Sequence, residues 1–463
     1  MESKKRLNRK KNPLISRWFW VLTIGTFLIC AFHLFCFSGI FSFWKDFSGQ
    51  PLLERYFNTV QEKLSIDGGQ DVGLYYYYAE NTLEGNIPFR DFTPEYPPLA
   101  LPFMIAPALF TSEPVGYEIL FALEMTLFAV ATSTIVFRFI QKRKAELLPQ
   151  FTLLFLTSLL LFGHVVISRL DAVSTFFIVF TVYLILDKPL TYKAVALTSA
   201  TAATGFAIKL FPVLPLIPLG VYLLYRKQWA FLATLIVTFA LFSVIYWGPA
   251  CIINLHGVLS SFLYHGQRGL QIESVLGLPV WITHLFTHIT PVVFNYGSLN
   301  FDTPLANQIA KVGLPVFAFF TLIVAGLLAW KLWRSKSSVP VTDISAGAKA
   351  SENDHKLLYF SVLLLVLGFV MLNKVFSPQY IIWIVWLLLL GLPYLPRKWF
   401  WPLVLAIQAA TFVIFPIIYG DLISGYTFAV LLVIARNLSM IILFSWVIFQ
   451  FAFVHAYNAG STE

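Results

Sequence analysis

Residues 147–177 read LLPQFTLLFLTSLLLFGHVVISRLDAVSTFF. From Leu147 to Ile167 the run is apolar and long enough to cross a membrane, since a spanning helix needs about 20 mostly apolar residues to traverse about 30 Å of hydrocarbon. It then breaks at Ser168-Arg169-Leu170-Asp171, and the apolar character resumes at once. Charges placed at the break of two apolar runs mark the turn of a helical hairpin at a membrane boundary. Backbone groups cannot stay unpaired in lipid, so only helices or closed barrels span. The run is too continuous for the alternating strands of a barrel, and the stretch therefore reads as two spanning helices.

The same pattern recurs along the chain. Tyr192–Phe211, Trp229–Trp247, Gly313–Trp333 and Lys356–Leu372 are further apolar runs in a sequence that is 58% hydrophobic and 12% charged, with a mean hydropathy of +0.76. The expected fold class is an all-α polytopic membrane protein with about twelve transmembrane helices. The basic segment MESKKRLNRKKNPLISR, residues 1–17, leads into an apolar run at Trp18–Trp44. No small-residue cleavage site follows that run, so it reads as a retained first span rather than a signal peptide. Residues 18–463 form one transmembrane domain on this reading. The three cysteines, two of them (Cys30 and Cys36) in the first span, provide neither a disulfide framework nor a metal spacing. Histidines 256, 265, 284 and 288 share one segment without a zinc spacing. The net charge of +9 comes from basic residues at span ends, the positive-inside pattern, and does not point to nucleic acid.

Those basic clusters set the topology. With Lys4, Lys5, Arg6, Arg9, Lys10 and Lys11 in the cytoplasm, successive crossings bring Arg138 with Lys142, Arg143 and Lys144 to the same side. Lys188 with Lys193, Arg226 with Lys227, Arg334 with Lys336, and Arg397 with Lys398 follow. The expected location is a plasma membrane, with the N-terminus cytoplasmic. Two segments, about 45–112 and 249–310, then lie outside, and the polar stretch 334–356 reads as a flexible cytoplasmic linker.

The intramembrane charges are informative because each costs about 2.5–3.5 kcal/mol at a helix centre. Asp71, Arg90, Asp91, Glu95, Arg169, Asp171, Lys209, Arg268, Glu273, Lys374 and Gln379 all map to the outer face, Lys209 because about 27 Å of helix separates it from Thr191. A single interfacial Lys or Arg is ordinarily a snorkelling anchor, Arg169 and Asp171 are near enough in sequence to pair, and Tyr75–Tyr78 suit an aromatic belt. The weight lies on the grouping. A transporter of polar solutes gathers ionisable groups near the midplane, whereas this chain gathers them at one surface.

The polar outer stretch DVGLYYYYAENTLEGNIPFRDFTPEYPPL, residues 71–99, resembles the first outer loop of the GT-C superfamily of polytopic glycosyltransferases. Those enzymes show an acidic residue spaced as Asp-x-x-x-Tyr, a Gly-x-x-Pro turn, and an acid ahead of Pro-Pro-Leu; here these are Asp71 and Tyr75, Gly85 to Pro88, and Glu95 before Pro97-Pro98-Leu99. RDFTPEYPPL, SRLDAVST, GFAIKLFPVLPLIP, GQRGLQIESV and NKVFSPQYIIW, in that order, are similar to the α-1,2-mannosyltransferase family that includes the phosphatidylinositol mannoside enzyme. The resemblance implies a GT-C-like fold with short interfacial helices in the outer loops. It also implies a polyprenyl-phosphate sugar as donor and a glycolipid or glycan as acceptor. Asp71 matches the catalytic acid position, and Asp171 a second acid that in some relatives holds a metal or substrate. Lys209, Arg268 and Lys374 occupy positions expected to face the donor phosphate. Asp71 is followed by Val72, not by a second acid, so no metal ligand is assigned and a divalent cation stays an open alternative.

The expected reaction is direct inverting displacement of a hexose, mannose by resemblance, with Asp71 as base. Lys209 supplies a point charge and Arg268 a planar fork for phosphate oxygens. Tyr75, Arg90, Asp91, Glu95, Arg169, Glu273 and Gln379 complete the candidate substrate site. The alternatives are a transporter or flippase of lipid-linked saccharides, and a ligase using a pyrophosphate-linked donor.

Overall fold

The structure is a computed structural model that describes residues 13–37, 70–334, 351–396 and 398–454. The basic tail before Pro13, residues 38–69 (the end of the expected first span and the start of the expected outer segment), most of the expected linker 334–356, and Arg397 lie outside the described residues. The described residues are mostly helical. Its helices are α1 (Pro13–Phe37), α2 (Gln70–Leu83), α3 (Leu101–Ala108), α4 (Pro114–Lys144), α5 (Leu148–Ser168), α6 (Asp171–Asp187), α7 (Tyr192–Ile208) and α8 (Leu216–Tyr225). There follow α9 (Trp229–Gln267), α10 (Leu278–Thr287), α11 (Pro304–Arg334), α12 (Glu352–Leu372), α13 (Tyr380–Leu390), α14 (Phe400–Phe412), α15 (Tyr419–Ile423) and α16 (Thr427–Phe453). Strands β1 (Val292–Asn295) and β2 (Ser298–Phe301) pair as an antiparallel hairpin between α10 and α11.

Local chemistry sets the helix ends. Pro149 falls in the first turn of α5, where its missing N–H costs nothing. Extended backbone at Arg169 (φ −132°, ψ 139°) stops that helix, and Asp171 opens α6 with a carboxylate at the positive end of the helix dipole. Thr191 caps α7 through Ala194 N, and Ser351 caps α12 through Asp354 N. Lys142, Arg143 and Lys144 complement the carbonyl end of α4.

Among the described residues, seven helical segments are long and apolar enough to cross a membrane. One of them, Pro114–Ser168, turns back at Lys144 (φ −151°, ψ 76°) and comprises α4 and α5. Helices α6, α7, α8 and α13 are shorter, of 17, 17, 10 and 11 residues. Helices α4, α5, α6, α12 and α13 form the centre, with α1 packed on α4 and α5, α9 on α7, and α14 and α16 on α5 and α12. The most apolar window of α12 is 83% buried and that of α9 only 11%, which separates a core helix from one that turns its surface outward.

The two ends differ chemically. At one, the basic clusters interlock: Lys142 with Asp187 at 2.7 Å, Arg226 with Asp354 at 3.2 Å, Arg143 with His355 Nδ1 at 3.2 Å, and Lys144 with Pro393 O at 2.8 Å. Charge clusters read separately along the sequence thus meet in space. The opposite end carries the candidate site. Boundaries there differ from expectation. The segment expected outside from residue 249 continues as helix α9 to Gln267, kinked at Asn254 (φ −161°, ψ 96°) behind Pro249. Helix α11 begins at Pro304, ahead of Gly313. The β-hairpin within that segment carried no expectation.

Candidate functional site

The site is built on the turn between α5 and α6. Arg169 and Asp171 are two residues apart, yet they do not pair with each other. Arg169 reaches across to Asp71, in the first turn of α2, and forms an ion pair with it. Asp171, only 1% exposed, accepts from Lys209 Nζ at 2.8 and 2.9 Å and from Trp383 Nε1 at 2.7 Å. Lys209 leaves α7 in extended backbone (φ −157°, ψ 139°), which turns its side chain back toward α6. Trp383 is sandwiched between Phe211 (centroids 3.8 Å, 13°) and Tyr380 (4.0 Å, 25°), and Lys209 Nζ lies 5.2 Å from its ring. The stack fixes the indole and, through it, the carboxylate.

The loop from Glu84 to Tyr96 forms the second wall. Gly85 (φ +99°) turns the chain out of α2, a conformation that favours glycine. Asp91 accepts from Arg90 at 2.8 and 2.9 Å and from Ile87 N at 2.7 Å, and these bonds hold its carboxyl at about 2. Arg90 and Asp91 are exposed and act on the loop itself. Phe89 O accepts from Asn254 at the kink of α9, and a Cβ at Gly257 would collide with the same carbonyl. Pro97-Pro98 ends the loop and opens a 3-10 turn that runs into α3, the break that the prolines predict.

The four tyrosines split by helical face. Tyr75 is buried and hydrogen-bonds Tyr96 at 3.0 Å, Tyr78 stacks on Phe92, and Tyr77 is exposed. Burial, with the negative charges of Asp171 and Glu95 nearby, pushes the Tyr96 hydroxyl up. Glu95 is half-buried, its backbone held by Tyr78 OH and His265 Nε2, and its carboxylate meets Arg268 at 3.3 Å.

Arg268 follows the last residue of α9 and lies 5.4 Å from the Tyr264 ring. Its Nε is buried without a hydrogen-bond partner among the described residues. Lys374 donates to a carbonyl, Gly266 O at 2.6 Å, and burial together with Arg268 lowers its ammonium. Gln271 ties these two segments, accepting from Phe376 N at 2.7 Å and donating to Ser377 Oγ at 3.3 Å. Gln379 sits half-buried at the start of α13, where its side chain does not cap the helix.

Glu273 stands apart from the rest. It is 1% exposed, and its charge acts on Arg436 of α16. Arg436 donates to Glu273 O at 2.7 Å and packs 4.4 Å over Phe376, and Asn437 donates to Ser274 O at 3.1 Å. Sequence reasoning missed Arg436 and Asn437. The signal was present in ARN interrupting an apolar span, since an arginine in such a place is a functional candidate by default.

The arrangement offers a carboxylate, Asp71, near the surface, a buried carboxylate oriented by Lys209 and Trp383, and two cations, Arg268 and Lys374. Among the described residues no three His, Cys, Asp or Glu side chains gather as a metal-binding group, and both aspartates already face basic side chains. Compared with known proteins, the chain matches no family model, no curated protein and no solved structure.

Proposed function

We propose that the chain is a membrane glycosyltransferase that moves a hexose, mannose by sequence resemblance, from a polyprenyl-phosphate donor to a hydroxyl of a glycolipid or glycan. The observation that carries this reading is the gathering of Asp71, Asp171, Lys209, Arg268 and Lys374 at one end of an apolar bundle, where a lipid-held phosphate meets water. In the proposed topology the seven long segments, with α4 and α5 counted separately, and the four shorter helices give about twelve crossings. The N-terminus is then cytoplasmic and the site lies on the extracytoplasmic face of a plasma membrane.

The reaction is a single displacement with inversion. Asp71 takes the proton of the acceptor hydroxyl, the acceptor oxygen attacks the anomeric carbon, and the carbon–oxygen bond to phosphate breaks, releasing the lipid phosphate. A positioned base contributes about 10²–10⁴ in rate. Arg268 and Lys374 are placed to neutralise the leaving phosphate, and fixed cations in a partly dry site stabilise such charge strongly. Arg169 orients Asp71 through their ion pair. Asp171 is 1% exposed and held by both Lys209 and Trp383, so its role here is to place Lys209.

The test uses purified protein in lipid with radiolabelled polyprenyl-phosphate mannose and a lipid extract as acceptor. New labelled glycolipid supports the reading. Failure with every polyprenyl-phosphate sugar, despite folded protein, overturns it and favours movement of a lipid-linked saccharide.

A further inference from the structure

The segment joining α9 to α11 is placed outside the membrane by its position between two spans, yet its chemistry and contacts do not suit water. From Ser274 to Phe301 there is no Asp, Glu, Lys or Arg over 28 residues. It nevertheless turns large apolar side chains outward. On α10, Trp281 and His284 face inward while Ile282 and Phe286 face out; Phe286 is 83% exposed, Ile289 75% and Phe294, on the hairpin, 58%. Charge-free surface of this kind marks a contact with something apolar.

Depth identifies the contact. Asn437 lies ten residues beyond Thr427, ~15 Å along the axis of α16. Its side chain is short, and it reaches Ser274 O at 3.1 Å. The chain therefore dips beside α16 well below that helix's first turn. Trp281 and Val280 share a core with Ala429, Val430 and Val433, so α10 lies alongside the opening turns of the span and not above them. Phe428 and Leu431, on those turns, are exposed apolar residues, as lipid-facing positions are.

Irregular backbone at membrane depth is tolerated only where protein satisfies its polar groups. That condition is met here. Gln271 N donates to Lys374 O, Ile272 N to Leu299 O, and Phe301 N to Leu270 O. Ile272 O accepts from Trp281 Nε1, Glu273 O from Arg436, and Ser274 O from Asn437. The hairpin supplies part of this cover, which explains a pair of strands among described residues that are otherwise mostly helical.

We propose that residues 270–301 are a re-entrant segment seated in the lipid leaflet at the site end of the bundle, with Ile282, Phe286, Ile289 and Phe294 in contact with acyl chains. Two consequences follow. Arg268 and Lys374, tied to its base, sit at headgroup depth. The exposed pair Leu109 and Phe110, after α3, meets the same leaflet from a second element. The inference does not depend on the reaction the site performs.

The test places single cysteines at Phe286, Ile289 and Phe294 in the full chain with Cys30, Cys36 and Cys251 replaced by alanine. Each is labelled with an environment-sensitive fluorophore in liposomes of neutral phospholipid. Ile236→Cys on α9 reports lipid and Glu84→Cys reports water. The expected result is quenching by doxyl-labelled lipid at 286, 289 and 294 comparable to position 236, with iodide quenching about threefold or more below that at 84. Iodide quenching at 286 and 289 equal to that at 84, without quenching by doxyl lipid, overturns the proposal. The three positions are surface sites read independently, so failure of one variant to fold leaves the test standing.

Discussion

Lys209 Nζ lies 2.8 Å from Oδ1 and 2.9 Å from Oδ2 of Asp171, joining the end of α7 to the start of α6. The carboxylate is 2% exposed and the ammonium 22%, so the pair is largely withdrawn from water. Removing one partner leaves an uncompensated buried charge, and Lys209→Met is expected to cost about 3–5 kcal/mol. Asp171→Asn keeps an oxygen for Trp383 Nε1, so the double variant Asp171→Asn, Lys209→Met should recover much of the loss. A double-mutant cycle on thermal unfolding in lipid checks this; additive losses would show that the pair does not act as a unit.

Gly257 faces Phe89 O with no room for a side chain. Gly257→Ala must push the 84–96 loop away from α9, with an expected destabilisation of about 1–3 kcal/mol. Protease sensitivity should rise at that loop before the bundle melts. Unchanged sensitivity would mean that the kink at Asn254 absorbs the methyl group.

Asp91 gives the loop a pH dependence whose sign can be worked out. Its carboxyl is held at about 2, below its ordinary value of 3.8, by Arg90 and Ile87 N. The contribution is present above the ordinary value and is lost as the pH falls toward 2. At pH 4 the wild-type loop should therefore resist pepsin while Asp91→Asn is cleaved. Equal cleavage at that pH would remove Asp91 from the account of the turn.

Arg436 holds the 271–274 segment and packs on Phe376 from inside a span. Arg436→Met should cost about 1.5–3 kcal/mol, the range for hydrogen bonds to charged groups, and Arg436→Lys should recover part of it. In the liposome experiment, Arg436→Met should also raise iodide access at Phe286→Cys. A stability loss without that change would limit Arg436 to general packing.

Much of the grouping in the candidate site was legible because charge in an apolar chain is sparse and costly, so each charged residue carries information. Asp71, Arg169, Asp171, Lys209, Glu95, Arg268 and Lys374 do come together at one end, and the Pro97-Pro98 break and the basic end follow from local rules. Who pairs with whom was not legible. Arg169 and Asp171 are neighbours in sequence, and only the extended backbone at Arg169 sends them to different partners. The length of α9 was hidden because Pro249 and Asn254 look like a helix end when they are a kink. Glu273 read as part of the candidate substrate site because its partner, Arg436, is distant in sequence, and the hairpin escaped notice because its strands are only four residues each.

The central claim, that Asp71 is the base of a sugar transfer, is tested most directly by one comparison. Purified wild type and Asp71→Asn, matched for folding, are given radiolabelled polyprenyl-phosphate mannose and a lipid extract in the same liposomes. The account predicts labelled glycolipid with the wild type and a loss of about 10²-fold or more with the variant. Transfer by Asp71→Asn at the wild-type rate would contradict it.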